Sequence, residues 1–393
     1  MQVERLQLND FRNFERLSIK LRPRINFFLG ENGQGKTNLL EAVYLLCRGQ
    51  SFRPANADSL LRQGRQISRI AGQFLLNESG FTLDHKVQMT LEPGRKNILL
   101  NGKRTNTTTL ITHFPIVMFS PESLSVIKEG PEQRRQLIDE LLLSHEPRQA
   151  RLLREYQRAL KARNRLLRNI SQDNTGGGSR QSQLDALESL NKIYLLLSTH
   201  LTTARVKTLH ALQPELQHAM RSILDENAAE ISVDYVISSA SAYNWSESEI
   251  FDALHKRHRE LASQELTLGS SLVGPHKHDI KLLFSGNDSR FYCSQGQQRA
   301  LILALKIAQI VYHHRVHQTY PVVLLDDVMS ELDAKKRVNL IKFLERISAQ
   351  ILITSTDLTW SDHFGMDRNS VFQVLDGQVF SEQFGSDLID ANM

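Results

Sequence analysis

The sequence predicts a mixed α/β protein, a mononucleotide-binding domain split along the chain and interrupted by a mostly helical second domain. Three observations predict it. An apolar strand, Ile25–Leu29, runs directly into the glycine loop Gly30–Thr37 and then into a helix whose Leu39, Leu40, Val43 and Leu46 recur at helical spacing. Far downstream a second apolar strand, Val322–Leu325, ends in Asp326 and Asp327. Between the two lies a stretch rich in Leu, Arg, Glu and Gln with apolar residues at i, i+3 and i+4.

Taken in order, Leu6 and Leu8, then Leu17, Ile19 and Leu21, alternate with polar residues around a turn at Asp10–Asn13, a two-strand pattern. Residues 66–120 return to strand-like patches broken at Asn77–Gly80, Glu92–Gly94 and Asn101–Gly102. From residue 132 to 170 the pattern is helical, with Leu137, Leu141, Leu152, Leu153, Tyr156 and Leu160 on one stripe. A Gly-rich turn at Asn174–Ser179 leads into a second helical stretch, Leu184–Asn227. The expectation is an antiparallel helical pair with arms of roughly 40 residues, at most about 60 Å long. A strand at Ile231–Ile237 and a helix at Glu247–Gln264 follow. The last third alternates helix 297–313, strand 322–325, helix 334–346 and strand 351–354, then a hairpin around Asp376-Gly377. The expected division is 1–127 and 271–393 for the two parts of the nucleotide domain, and 128–270 for the insertion.

Composition narrows the class. Apolar residues make up 40% and charged residues 23%, an ordinary globular balance. No apolar run approaches the ~20 residues of a membrane helix, and MQVERLQLND lacks an apolar signal core. Cys47 and Cys293 are the 2 cysteines, too few for a disulfide framework, so reduced thiols in the cytosol are expected. The segment Lys128–Arg168 holds 11 Lys and Arg against 6 Asp and Glu, a balance of +5 that equals the net charge of the whole chain. Such clustering suits phosphate neutralisation, and it equally suits a solvated helical face. Within it Arg134, Arg135, Arg151, Arg154, Arg158, Arg163 and Arg165 are the candidate DNA contacts. No sequence-reading helix is evident, so binding would be to phosphates.

The chemistry concentrates in three motifs. The loop Gly30-Glu-Asn-Gly-Gln-Gly-Lys-Thr37 fits G-x-x-x-x-G-K-[ST] between a strand and a helix. Gly30, Gly33 and Gly35, with Glu31, Asn32 and Gln34 between them, let backbone N–H groups turn around the phosphates of ATP. Lys36 reaches the β/γ-phosphates, and Thr37 places its hydroxyl on Mg²⁺. Asp326 holds Mg²⁺ through its water shell, and Asp327 orients the attacking water. Ser294-Gln-Gly-Gln-Gln298, ahead of a helix, forms a second anion site from Ser294, Gly296 and Gln297. One γ-phosphate cannot easily use both sites of one subunit, so this site addresses nucleotide held by another copy of the chain. Ser330-Glu-Leu-Asp333 should lie near that seam. His276 and His278 flank Lys277 with no third metal ligand nearby.

The order of glycine loop, S-x-G-Q, LLDD and SELD resembles the SMC-like branch of the ABC ATPase superfamily. Asp10-Phe-Arg-Asn13, Ser51-Phe-Arg53, Phe119-Ser-Pro-Glu122, Gly130-Pro131 with Arg134-Arg135, and Gly274-Pro-His-Lys-His-Asp279 resemble the RecF family of recombinational-repair proteins. That resemblance covers residues 3 to about 355. It implies an ABC-type ATPase head, a P-loop mixed sheet with helices, carrying an inserted helical domain. It implies that Arg12 and Asn13 lie near the nucleotide, and that His276–Asp279 face DNA or the domain seam. It implies an ATP-dependent homodimer acting in recombinational repair, replication restart and the SOS response. Single-stranded, duplex and gapped DNA would be its targets, with RecR first and RecO second as partners, in the cytoplasm at the nucleoid. Glu122 falls where ABC proteins usually place a metal-sensing Gln. Thr354-Ser-Thr-Asp357 carries no switch His, and Asp327 stands where many relatives have Glu. A weak, DNA-stimulated ATPase follows, with hydrolysis as a timer. The rival readings are a transporter ATPase subunit, a short SMC-type tether and a nucleotide sensor that never hydrolyses.

Overall fold

A computed structural model describes residues 1–53, 55, 57–78, 81–121, 130–172, 178–224, 230–356 and 371–381. The chain packs as two compact units, one of residues 1–125, 218–228 and 295–393, the other of residues 126–217 and 229–294. The helical insertion therefore extends past residue 270. Residues up to Ser294 pack with it, because Asp279–Phe284 pairs with the strand at Ile231–Ile237 and Asn287–Asp288 pairs with Asp279–Phe284.

In the first unit β1 (Gln2–Phe11), β2 (Phe14–Lys20), β3 (Ile25–Leu29), α1 (Lys36–Arg48) and α2 (Ala57–Leu60) lead into a meander. Its members are β4 (Ser68–Glu78), β5 (Phe81–Glu92), β6 (Arg95–Leu100) and β7 (Lys103–Arg104). Then come α3 (Thr107–His113) and β8 (Ile116–Phe119). Strand patterning alone missed α3. Its start is fixed by Asn106, whose side chain accepts from the Thr109 N–H as an N-cap.

The second unit holds α4 (Pro131–His145), α5 (Gln149–Gln172), α6 (Gly178–Leu224, whose last turns belong to the first unit), β9 (Ile231–Ile237), β10 (Ala240–Ser241) and α7 (Glu247–Leu268). A 3₁₀ turn at Pro275–Lys277, β11 (Asp279–Phe284), β12 (Asn287–Asp288) and α8 (Ser289–Tyr292) complete it. The chain re-enters the first unit through α9 (Gln295–His317), β13 (Val322–Asp326), α10 (Ala334–Arg346), β14 (Ile351–Ser355), β15 (Val371–Leu375) and β16 (Gln378–Ser381).

Two six-stranded sheets enclose α1. One is antiparallel, in the order β2-β1-β4-β5-β6-β7; the other runs β16-β15-β3-β14-β13-β8 and is parallel except at β16. The five residues of β3, of β13 and of β14 are all buried, as expected for parallel strands covered on both faces. Helix α1 is buried on nearly all sides, with Leu39, Leu40, Val43 and Leu46 in the same core as Leu6, Ile70 and Phe74 of one sheet and Leu324 and Leu352 of the other.

The helical arms differ from expectation. The first breaks at Glu146-Pro147-Arg148, where proline ends one helix and starts the next, leaving α5 with 24 residues, about 36 Å. Nor is α5 paired with α6 alone. Arg163 of α5 donates to both carboxylate oxygens of Glu265 on α7 (3.1 and 2.6 Å) and to Asn191 Oδ1 on α6 (2.7 Å). It also donates to Ser271 Oγ at 2.7 Å, so one guanidinium ties three helices and a loop. Burial opposes ionisation of Glu265, but His258 and Arg163 outweigh it and hold the carboxyl at about 2.

A second buried network surrounds the Gly274–Asp279 segment. Tyr156 and Tyr235 contact His276 Nδ1 (2.8 Å) and His278 Nδ1 (3.0 Å), and Arg205 pairs with Asp139 while donating to the Pro275 carbonyl. Only Lys277 of this stretch is exposed. The two histidines are thus internal supports, not a DNA-facing cluster. Burial pushes His276 down to about 4 and His278 well below its usual value.

Breaking a buried, multiply bonded pair costs about 3–5 kcal/mol. Arg163→Ala should lose that much in urea unfolding, whereas Arg154→Ala, exposed on the same helix, should stay within about 0.5 kcal/mol. Equal effects would contradict the clasp. Unfolding frees two imidazoles that take up protons near pH 6.5, while the folded chain keeps His276 neutral down to about 4 and burial holds His278 neutral well below its usual value. The unfolded state then binds more protons in that window, so stability should fall as pH drops from about 6.5 to about 4. Urea midpoints that stay level over the window in wild type would refute this.

Candidate nucleotide site

The glycine loop joins the end of β3 to the first turn of α1. Asp326 closes β13, and β14 lies between those two strands with Thr354 near its end. This strand order brings distant residues together. Thr37 Oγ1 donates to Asp326 Oδ1 at 2.8 Å, and Thr354 Oγ1 donates to the same oxygen at 2.8 Å. Thr354 Oγ1 in turn accepts the Asp327 N–H at 3.0 Å. Asp327 is held in the left-handed region (φ 48°), which aspartate tolerates better than most residues, and Ser330 Oγ donates to its carbonyl.

The loop is shaped for an anion. Gly35 sits at φ 113°, where a Cβ would run into the Asn13 side-chain amide, so only glycine fits there. Lys36 folds over the loop, its ammonium donating to the carbonyls of Gly30 (2.6 Å) and Glu31 (2.8 Å). Burial lowers the Lys36 pKa, and the Asp327 and Asp326 carboxylates oppose that shift. Glu31, Asn32 and Gly33 line the open side and are exposed. Two clamps hold Gln34: Asn13 Nδ2 donates to its carbonyl at 2.9 Å, and the β15–β16 turn approaches from the other side. There the Asp376 N–H reaches Gln34 Oε1 (2.6 Å) and the Gly377 N–H reaches the Gln34 carbonyl (3.1 Å).

Arg12 and Asn13 play unequal parts. Asn13 braces the loop and also accepts from Asn38 Nδ2. Arg12 is committed to Glu41, donating to both carboxylate oxygens (2.9 and 2.8 Å), and to the Ser59 carbonyl. Ser51 Oγ also donates to Glu41, and Arg53 lies 4.0 Å from it. The roles of Glu41 and Thr354 in the site, and the contact of the Asp376-Gly377 turn with Gln34, were not foreseen. A glutamate inside the apolar run NLLEAVYLL was the available signal for Glu41, since a buried carboxylate demands cationic partners, and two nearby Phe-Arg pairs supply them.

Ser294, Gly296 and Gln297 gather elsewhere, at the start of α9, with Ser294 and Gly296 exposed. The Ser330–Asp333 loop packs against this turn. Arg299 pairs with Glu331 at 2.6 Å, and Lys336 bridges Asp333 (2.7 Å) and the Gly296 carbonyl (3.4 Å), around a cavity of about 210 Å³. Of the candidate DNA contacts, Arg134 is a correction as well as Arg163: it is buried in a two-pronged pair with Asp279 (2.8 and 3.0 Å). Arg135 is half-buried and donates to the His278 carbonyl. Arg151, Arg154, Arg158 and Arg165 are exposed on α5, Arg151 beside Glu155. Glu122 and Asp357 lie outside the described residues.

The donor set fits a magnesium nucleotide. A hydroxyl and a carboxylate are hard oxygen donors, and no cluster of three or more acidic, His or Cys ligands occurs among the described residues. Magnesium characteristically takes one or two protein oxygens and completes its shell with phosphate and water.

Residues 2–374 match the family described as the RecF/RecN/SMC N terminal domain. The chain is 34% identical over 384 residues to the DNA replication and repair protein RecF of Pelotomaculum thermopropionicum, covering 96% of this chain and 100% of that one. It is 32% identical to the same-named protein of Heliobacterium modesticaldum, covering 96% and 99%. A solved structure of the recombination mediator protein RecF-ATP in the RecFOR pathway superposes with a TM-score of 0.84 at 30% identity, covering 97% of each chain. The Smc head domain from Pyrococcus furiosus, at 15% identity and a TM-score of 0.51, shares the fold alone.

Replacing Thr354 by Val keeps its shape and removes the hydroxyl that orients Asp326. A net hydrogen bond is worth about 1 kcal/mol, so calorimetry should find nucleotide affinity weakened about fivefold with Mg²⁺ and unchanged with EDTA. Equal weakening in both conditions would contradict a metal-positioning role.

Proposed function

The chain belongs to the RecF family, within the wider RecF, RecN and SMC group, and from that premise we propose that it is an ATP-dependent DNA-binding protein of recombinational repair and replication. The observation that carries the nucleotide reading is the Thr37–Asp326 hydrogen bond, because it joins the glycine loop to the carboxylate-tipped strand. Lys36 and the loop N–H groups of Gly30–Gly35 would hold the β- and γ-phosphates of ATP, with Thr37 and Asp326 beside Mg²⁺. When bound, Mg²⁺ neutralises charge on the phosphates. Asp327 orients water for hydrolysis, and its short side chain suits slow turnover, stimulated by DNA.

Ser294, Gly296 and Gln297 would complete the site of a second copy. They stand at a helix start, the positive end of the helix dipole, with Ser294 and Gly296 exposed. DNA would be held through phosphates. Arg151, Arg154, Arg158 and Arg165 recur every three or four residues on one exposed face of α5, together with Lys161 and Arg168. Single-stranded, duplex and gapped DNA are the intended targets, and Arg135 remains a half-buried candidate. The RecFOR setting of the ATP-bound structure supports RecR, then RecO, as partners in repair, replication restart and the SOS response. No described helix is long and apolar enough to cross a membrane, which suits work on DNA in the cytoplasm.

Sedimentation with ATP, with and without duplex DNA, tests the assignment on wild type, Lys36→Ala and Ser294→Arg. ATP-dependent dimers in wild type only are expected. Monomers under every condition would overturn the shared-site reading.

A further inference from the structure

The antiparallel sheet of the first unit buries one face on α1 and leaves the other to solvent. The open face is unusually one-sided in charge. Strand alternation and register place Arg16 and Lys20 of β2, Arg5 of β1, Arg69 of β4, Lys86 of β5 and Arg104 of β7 on it. Arg5 is half-buried and the other five are exposed. The acidic side chains beside them are Asp84, which accepts from Gln73, Glu92, which faces Arg95, and Glu4, which lies 3.9 Å from Lys20.

Between the cations lie mostly amides and small residues, with half-buried Leu75 and Leu99 as apolar side chains of the face. Gln7 and Gln73 flank Ala71, whose short side chain leaves a depression of about 320 Å³ bordered by Arg5 and Lys86. Gly72 is forced by the other face, because a Cβ there would strike Phe74 and Leu46 in the core. Strand spacing makes the platform about 24 Å across from β2 to β7, and the rows from Lys20 to Arg16 add about 13 Å along the strands. Cationic and rich in amide donors, this face matches a phosphate backbone in charge and in hydrogen bonding.

We propose that this outer sheet face is a docking surface for the phosphate backbone of duplex DNA, with Arg5, Arg69 and Lys86 as its central contacts. This rests on the DNA-binding reading above and adds a surface in the first unit, separate from the α5 stripe.

The test is duplex-DNA affinity of the full chain, with ATP, as a function of salt. Arg5→Gln, Arg69→Gln and Lys86→Gln are combined in one variant, and Lys256→Gln with Arg259→Gln, exposed on α7, serve as a charge control. Each lost phosphate contact lowers the log–log salt slope by about 1, so the triple variant should lose about 3 and bind roughly 100-fold more weakly at 0.1 M salt. Asp84→Asn should bind more tightly than wild type. ATP-dependent dimerisation and the thermal midpoint should not move. An unchanged slope in the triple variant, or an equal loss per charge in the α7 control, would overturn the docking surface while leaving DNA binding intact. Wild type that binds no duplex at all would instead overturn the DNA reading on which this one rests.

Discussion

One carboxylate oxygen organises the nucleotide site. Asp326 Oδ1 accepts hydroxyls from Thr37, at the start of α1, and from Thr354, on the strand between β3 and β13. Both donors stand 2.8 Å away, and Asp326 is only 5% exposed, so neither bond has a ready water substitute. The bonds require the loop, β14 and β13 to end at one level. That requirement is met by the parallel order β3-β14-β13 and by the packing of α1 between the two sheets. The hairpin turn at Asp376-Gly377 adds a second constraint by holding Gln34 from outside the loop. A cradle fixed in this way presents its N–H groups without reorganising when charge arrives.

Much of this was legible in the sequence. Gly30–Thr37 and Val322–Asp327 carried their structural context with them, since a five-residue apolar run before a glycine loop has few other homes. The supporting groups were not legible, because each is an ordinary residue made important by tertiary placement. Thr354 looks like any strand threonine until β14 is known to lie between the two functional strands. Glu41 could have been suspected from its apolar helix, but nothing in the local pattern chooses Arg12 and Ser51 as its partners over the other cations and hydroxyls around it.

The arginines show the same limit from the other side. A count of basic residues between 128 and 168 cannot separate Arg163, which is 1% exposed and clasps three helices, from Arg165 two positions on, which faces solvent. Helical periodicity could have separated them, because Arg163 falls on the stripe of Tyr156, Ala159, Leu167 and Ile170, all buried. The helix break at Pro147 was likewise visible and outweighed by the apolar periodicity on both sides. In the second unit charge therefore does two jobs: inside it fixes helix positions, and outside it faces solvent.

Family membership and the local geometry agree on a molecule that binds a nucleotide through residues far apart in sequence. The most direct measurement of that claim is a double-mutant cycle between Thr37→Val and Asp326→Asn, read as Mg·ATP affinity by calorimetry. Groups sharing one hydrogen bond and one metal should couple by about 0.5–3 kcal/mol, so the double variant should bind more tightly than the sum of the single losses implies. Strictly additive losses would contradict the shared-oxygen account of the site.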